Sequence, residues 1–128
     1  MIRIKSATLA AATVLGLLAT ATPAEARTRI QARGADAVAI VQSYFNAIND
    51  HDYQTAWDLG GKNFSGSYGS FVAGFDDTLY DALTIEGSHG DVVDVFLDAE
   101  QYNGSDHEYS GSYTVRGGQI VAAHLTRR

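Results

Sequence analysis

The 128-residue chain has no cysteine at all. That excludes disulfides, a lipid anchor attached through an N-terminal thiol, and every thiolate metal site or nucleophile. A surplus of basic residues is also missing. Fifteen acidic residues stand against nine Lys and Arg, a formal net charge of −6. Nucleic acids and anionic membrane surfaces both demand a basic face, so neither is expected as a partner. The acids are scattered from Asp36 to Glu108 rather than blocked together, as suits a solubilising surface.

Long apolar runs are absent beyond the first residues. The single run, from about Ala7 to Ala21, follows Arg3 and Lys5 and ends at Ala24-Glu25-Ala26. A charged start, a short apolar stretch and a small-x-small site make a Sec-type signal peptide. The run falls short of the ~20 residues that a spanning helix needs. No twin-arginine pair precedes it. The expectation is cleavage before Arg27 and a secreted domain with no membrane attachment afterwards. Taking away Arg3, Lys5 and Glu25 leaves 7 basic and 14 acidic residues. The mature part must then hold together by its core alone, which about 100 residues can do.

Several chemical signatures are missing too. No two histidines stand four apart and no His/acid trio has ligand spacing, so no metal and no cofactor are expected. Asn103-Gly104-Ser105-Asp106 is too short for a calcium loop. Gly60-Gly61-Lys62 lacks the glycine and hydroxyl residue that a phosphate loop requires at positions 56 and 63, and no G-x-S-x-G elbow occurs. No internal repeat is visible.

What remains is a legible order of elements. Residues 27–34, with Arg27, Arg29 and Arg33, lack periodicity and read as a flexible arm before a domain at 35–128. Asp36 is the expected N-cap of a first helix. Its apolar residues Ala37, Ile40, Val41, Tyr44, Phe45 and Ile48 recur at threes and fours. The polar knot Asn49-Asp50-His51-Asp52 makes a corner. Asp52 caps a short second helix bearing Tyr53, Ala56 and Trp57, and Gly60-Gly61 ends it. Ser67 caps a third helix over about Tyr68 to Phe75.

From Leu79 the period changes to two, with Leu79, Asp81, Leu83 and Ile85 in one phase. Turns at Ser88-His89-Gly90, Asn103-Gly104 and Gly117-Gly118 separate four strands of an antiparallel meander. Pairing Arg116 with Gln119 sets Tyr113 against Ala122 and Gly111 against His124. That register places His124 on the same face as Tyr109 and Tyr113. Three helices followed by such a sheet make an α+β fold.

Two segments carry a resemblance. Val41 to Asn49 with Asp52-Tyr53 and Ala56-Trp57-Asp58-Leu59, and the closing Gly111 to Val115 with Gly118 to Ala122, resemble the opening and the final hairpin of the NTF2-like superfamily. The chain is also similar to small secreted, actinobacterial-looking members, and more distantly to ketosteroid isomerases and SnoaL-like cyclases. The resemblance implies a cone of three helices on a curved four-stranded sheet. It implies a pocket lined by Tyr44, Trp57, Phe71, Phe75, Tyr113 and His124. It leaves function open, because this fold hosts enzymes, binders and adaptors. A non-enzymatic domain would bind a small apolar ligand or a protein partner in the pocket or on the sheet face, and a homodimer could form through the sheet. An isomerase- or cyclase-like enzyme would do acid–base chemistry in the pocket. For that role Tyr44 is the candidate oxyanion donor, His124 the candidate imidazole and Asp94 a candidate carboxylate. The plain alternative for Tyr44 is a core aromatic, and for His124 a hydrogen-bonded residue at the sheet end. What separates the two hypotheses is a pocket carboxylate within hydrogen-bond reach of Tyr44 or His124.

Overall fold

A computed structural model describes residues 22–128. The signal-peptide reading falls almost wholly on residues outside that range. The described residues fall into two units, one up to residue 30 and one of 31–128.

In the first unit, Thr22 and Glu25 make a reciprocal capping box. The Glu25 amide donates to Thr22 Oγ1 (3.1 Å) and the Thr22 amide to Glu25 Oε1 (3.2 Å). These bonds hold the Glu25 carboxyl below its usual range. Pro23 occupies the first helical position, where its missing N–H costs nothing. Helix α1 accordingly runs Pro23–Asn49. Asp36, expected as its N-cap, lies inside it, and residues 27–34, expected as an arm, are helical. The earlier cap supplies the start that Asp36 is not needed for.

In the second unit, the apolar stripe of α1 is the spine of the core. Ala37, Val41, Tyr44, Phe45, Ala47 and Ile48 are buried, each aliphatic side chain of valine size or more contributing roughly 1.5–3 kcal/mol. The helix stops in a Schellman turn. The Asp52 amide donates to the Ala47 carbonyl (2.8 Å) and the His51 amide to that of Ile48 (3.0 Å). His51 sits at φ 61, in the left-handed region usually left to glycine. Asp52 then caps helix α2 (Tyr53–Leu59), accepting from the Thr55 amide at 3.2 Å. One residue thus closes the first helix and opens the second.

Gly60, at φ 151, follows α2 and leads into a 3₁₀ turn at Gly61–Asn63. A Cβ at Gly60 would lie 2.7 Å from Ile120. This glycine is required as much by the tight seat on the last strand as by the helix end. Asn63 ties the turn down, donating to the Ile120 carbonyl at 2.7 Å. Ser67 caps helix α3 (Tyr68–Ala73) as expected, accepting from the Ser70 amide.

Four strands complete the fold: β1 (Thr78–His89), β2 (Val92–Gln101), β3 (Asp106–Arg116) and β4 (Gln119–Arg127), antiparallel in the order β1-β2-β3-β4. Alternate β2 residues Val93, Val95, Leu97 and Ala99 are buried. Each edge strand is irregular. Extra residues at Leu79 and Glu86 in β1, and at Val121 in β4, break the register. Such bulges sharpen twist and bend a sheet.

The bulge at Val121 corrects the expected pairing. Arg116↔Gln119 and Val115↔Ile120 hold, but Tyr113 then pairs with Ala123 and Ser112 with His124. Because side chains alternate, one extra residue carries His124 to the face opposite Tyr113.

Candidate functional site

The aromatic residues expected to line a pocket fill a core instead. Tyr44 packs edge-on to Phe45, with centroids 5.1 Å apart, and lies 6.4 Å from Phe71 and 6.5 Å from Tyr113. Phe71 meets Phe75 at 5.2 Å and Trp57 at 5.7 Å. Tyr44, Phe71 and Tyr113 are buried. Trp57 and Phe75 are half-buried at the margin of this cluster, Trp57 against Tyr68 and Phe75 stacked on Tyr53. His124 is exposed on the other side of the sheet. Asp94 is there too, opposite Ser112 and 3.3 Å from His89 Nε2. The structure therefore separates His124 and Asp94 from Tyr44.

Open space lies beside this cluster, between α1 and the edge strand β1. A groove of about 630 Å³ is lined by Gln42, Phe45, Asn46 and Asn49 from the helix. Tyr80, Asp81, Leu83, Thr84 and Ile85 line it from the strand. Its volume falls in the range of ordinary small-molecule sites. Its mixed lining follows from the two periodicities. Gln42, Asn46 and Asn49 stand at threes and fours beside the buried stripe of α1, while Asp81, Leu83 and Ile85 share one phase of β1. Leu83 and Ile85 are only half-buried because the groove leaves them uncovered.

Asp81 is the residue the sequence reading left unassigned. It is 4% exposed, the one fully buried position of β1. Its backbone is held by Asn49. The Asp81 amide donates to Asn49 Oδ1 at 2.8 Å, and Asn49 Nδ2 donates to the Asp81 carbonyl at 2.9 Å. Its carboxyl has no hydrogen-bond partner among the described residues. Burial pushes its pKa up to about 6. Burial, and secondarily the Asp81 charge, raises the Tyr44 hydroxyl well above the ordinary phenol value. Tyr113 is raised in the same way, with Tyr44 and Asp81 adding to burial. Two phenols and one carboxyl thus share a poorly solvated interior. The available signal was phase: Asp81 shares one phase of β1 with the apolar Leu83 and Ile85. Among the described residues no group of three His, Asp or Glu side chains could hold a metal.

No family model matches the chain, and comparison with curated proteins gives no match. Its structure is similar to a solved one, an NTF2-like protein of unknown function from Cytophaga hutchinsonii. The two are 17% identical, with a TM-score of 0.57 over 72% of this chain and 89% of the other. The α+β fold of helices on a curved four-stranded antiparallel sheet is the NTF2-like fold.

Proposed function

We propose that this protein is a secreted, non-catalytic NTF2-like domain that binds a small molecule in the groove between α1 and β1. The observation that carries the reading is the groove itself. Phe45, Leu83 and Ile85 offer apolar wall, and Gln42, Asn46 and Asp81 bring polar groups beside it. That combination is how small-molecule sites gain both affinity and orientation. The aromatic core next to it is filled by its own side chains, so a ligand is better accommodated beside that core than inside it. Titration of ¹⁵N-labelled protein with a set of small amphiphilic fragments tests the reading. Amide shifts concentrated at Phe45, Asn46, Asn49 and Thr84 support it. A set that shifts none of them overturns it.

A second reading, acid–base catalysis, draws on the electrostatic coupling of Asp81 to the Tyr44 hydroxyl. Against it, no hydrogen bond joins the two side chains among the described residues. Turnover of small ketones by the wild type, lost about a hundredfold or more in Tyr44→Phe, would favour this enzyme reading.

A further inference from the structure

Asp81 is the only formally charged residue among the nine that line the groove. Asp81 is 4% exposed, and a carboxylate with so little contact with water is costly unless something pairs with it. Nothing in the described chain does. The ion pairs there are Arg33 and Arg116 with Asp91, and His89 with Asp94; none involves Asp81. The amide of Asn49 bonds the Asp81 backbone at both atoms and makes no hydrogen bond to the carboxyl among the described residues.

The surroundings suit a positive guest. Phe45 and the exposed Tyr80 are among the lining residues, and aromatic rings attract cations through their negative faces. Gln42 and Asn46 are lining residues whose side-chain carbonyls accept no hydrogen bond among the described residues, and an amide oxygen of this kind can receive an N–H donor. No Lys, Arg or His lines the groove to compete. The net negative charge of the whole chain favours the approach of a cation.

We propose that the groove takes an organic cation, a small amine with an apolar body, whose ammonium group seats on the Asp81 carboxyl while the body lies on Phe45, Leu83 and Ile85. This rests on the reading of the groove as a ligand site. The groups that face Asp81 are Tyr44 and Asn49 from α1, Tyr53 from α2 and Tyr113 from β3. Burial raises all three phenols, so they stay protonated at neutral pH. His107 stands in the same cross-strand row, beyond Ala99. An Asp81→Asn variant leaves His107 unchanged and so separates the two.

The test uses three probes of one shape: 4-phenylbutylammonium, 4-phenylbutanol and 4-phenylbutanoate. Their affinities are measured by calorimetry and by ¹⁵N amide shifts at pH 7.5 and pH 5, for wild type and Asp81→Asn. The ammonium should bind at least about tenfold more tightly than the alcohol at pH 7.5, and the carboxylate least. At pH 5, one unit below the Asp81 midpoint of about 6, the ammonium should lose about tenfold while the alcohol changes little. Asp81→Asn should bind the alcohol as the wild type does, and lose both the preference for the ammonium and its pH dependence. Equal binding of alcohol and ammonium to the wild type, with shifts in the groove, would overturn the cation and leave the groove reading standing. A preference that survives Asp81→Asn would also overturn it. No groove shift with any probe would remove both readings. The wild-type pH comparison decides the matter even if the variant fails to fold.

Discussion

Asn49 completes the open edge of the sheet: its side-chain amide gives and takes one hydrogen bond each with the Asp81 backbone, at 2.9 and 2.8 Å. It does for β1 what a neighbouring strand would do, and it fixes the end of α1 over the strand that carries the groove's acid. Asn49→Ala removes both bonds and leaves two part-buried backbone groups unpaired. The expected cost is about 1–3 kcal/mol, measured by urea denaturation. Asn49→Asp should recover little, because a carboxylate can accept from the Asp81 amide but repels its carbonyl. Full recovery with Asp would mean that the Asp81 carbonyl finds its partner elsewhere.

His51 is strained for a purpose a glycine would serve better. It holds the left-handed turn that ends α1, at a cost of roughly 1–2 kcal/mol for an L-residue. Its ring stacks on Tyr53 with centroids 5.8 Å apart, but it is exposed, so the stack returns less than the strain takes. His51→Gly should raise stability by about 0.5–1 kcal/mol, and His51→Val should lower it. A loss with glycine would show that the ring stack outweighs the backbone.

Asp52→Ala should cost about 0.5–2 kcal/mol, and Asp52→Asn much less, since either side chain can accept from the Thr55 amide. Equal losses in thermal denaturation would mean that the charge matters rather than the cap.

Gly111 lies closely against β4. A Cβ at Gly111 would lie 1.8 Å from the His124 carbonyl oxygen, which is backbone and cannot rotate away. Gly111→Ala should cost more than about 3 kcal/mol, or unpair β4, seen as rapid amide exchange from Ile120 to Leu125. A variant of wild-type stability would mean that the last hairpin shifts cheaply.

These cases mark what was legible from residue order. The stripe Ala37–Ile48, the Asp52 and Ser67 caps and the Gly117-Gly118 turn are local, and periodicity or cap chemistry reveals them. The Val121 bulge is not local: Val121 itself differs in no way from a regular strand residue, and only the pairing of β3 with β4 reveals the extra residue. That single residue moved His124 out of the site. The start of α1 was missed because Thr22-Pro23-Ala24-Glu25 serves equally as a processing signal and as a capping box. Helical spacing brings aromatic faces toward one interior, but whether convergent rings enclose space or fill it depends on distances that only the fold supplies. Asp81 stood in an apolar phase, and only the placement of α1 over β1 shows that this phase faces inward.

The acid at position 81 should make the domain less stable as the pH approaches neutral. Burial raises its folded pKa to about 6, from an ordinary carboxyl value of 3.8. Below about pH 4 both states hold the proton, and Asp81 costs nothing. Between about pH 4 and 6 the unfolded chain releases it while the folded chain keeps it, so stability falls with rising pH; above about 6 the loss levels off. A rise from 3.8 to about 6 corresponds to about 3 kcal/mol as an order of magnitude. Asp81→Asn keeps the shape and removes the charge. Its advantage over the wild type in urea denaturation should grow from little at pH 4 to about 2–3 kcal/mol at pH 7. A saturating cation should narrow that gap by stabilising the wild type more than the variant, because a ligand that binds only the folded state adds RT ln(1 + [L]/Kd) to its stability. A flat difference across the range would show that water reaches the carboxyl freely in the folded protein, and with it the main reason for a charged guest would be gone. A difference that follows this curve would mark Asp81 as a residue kept at a cost to the fold, as binding groups commonly are.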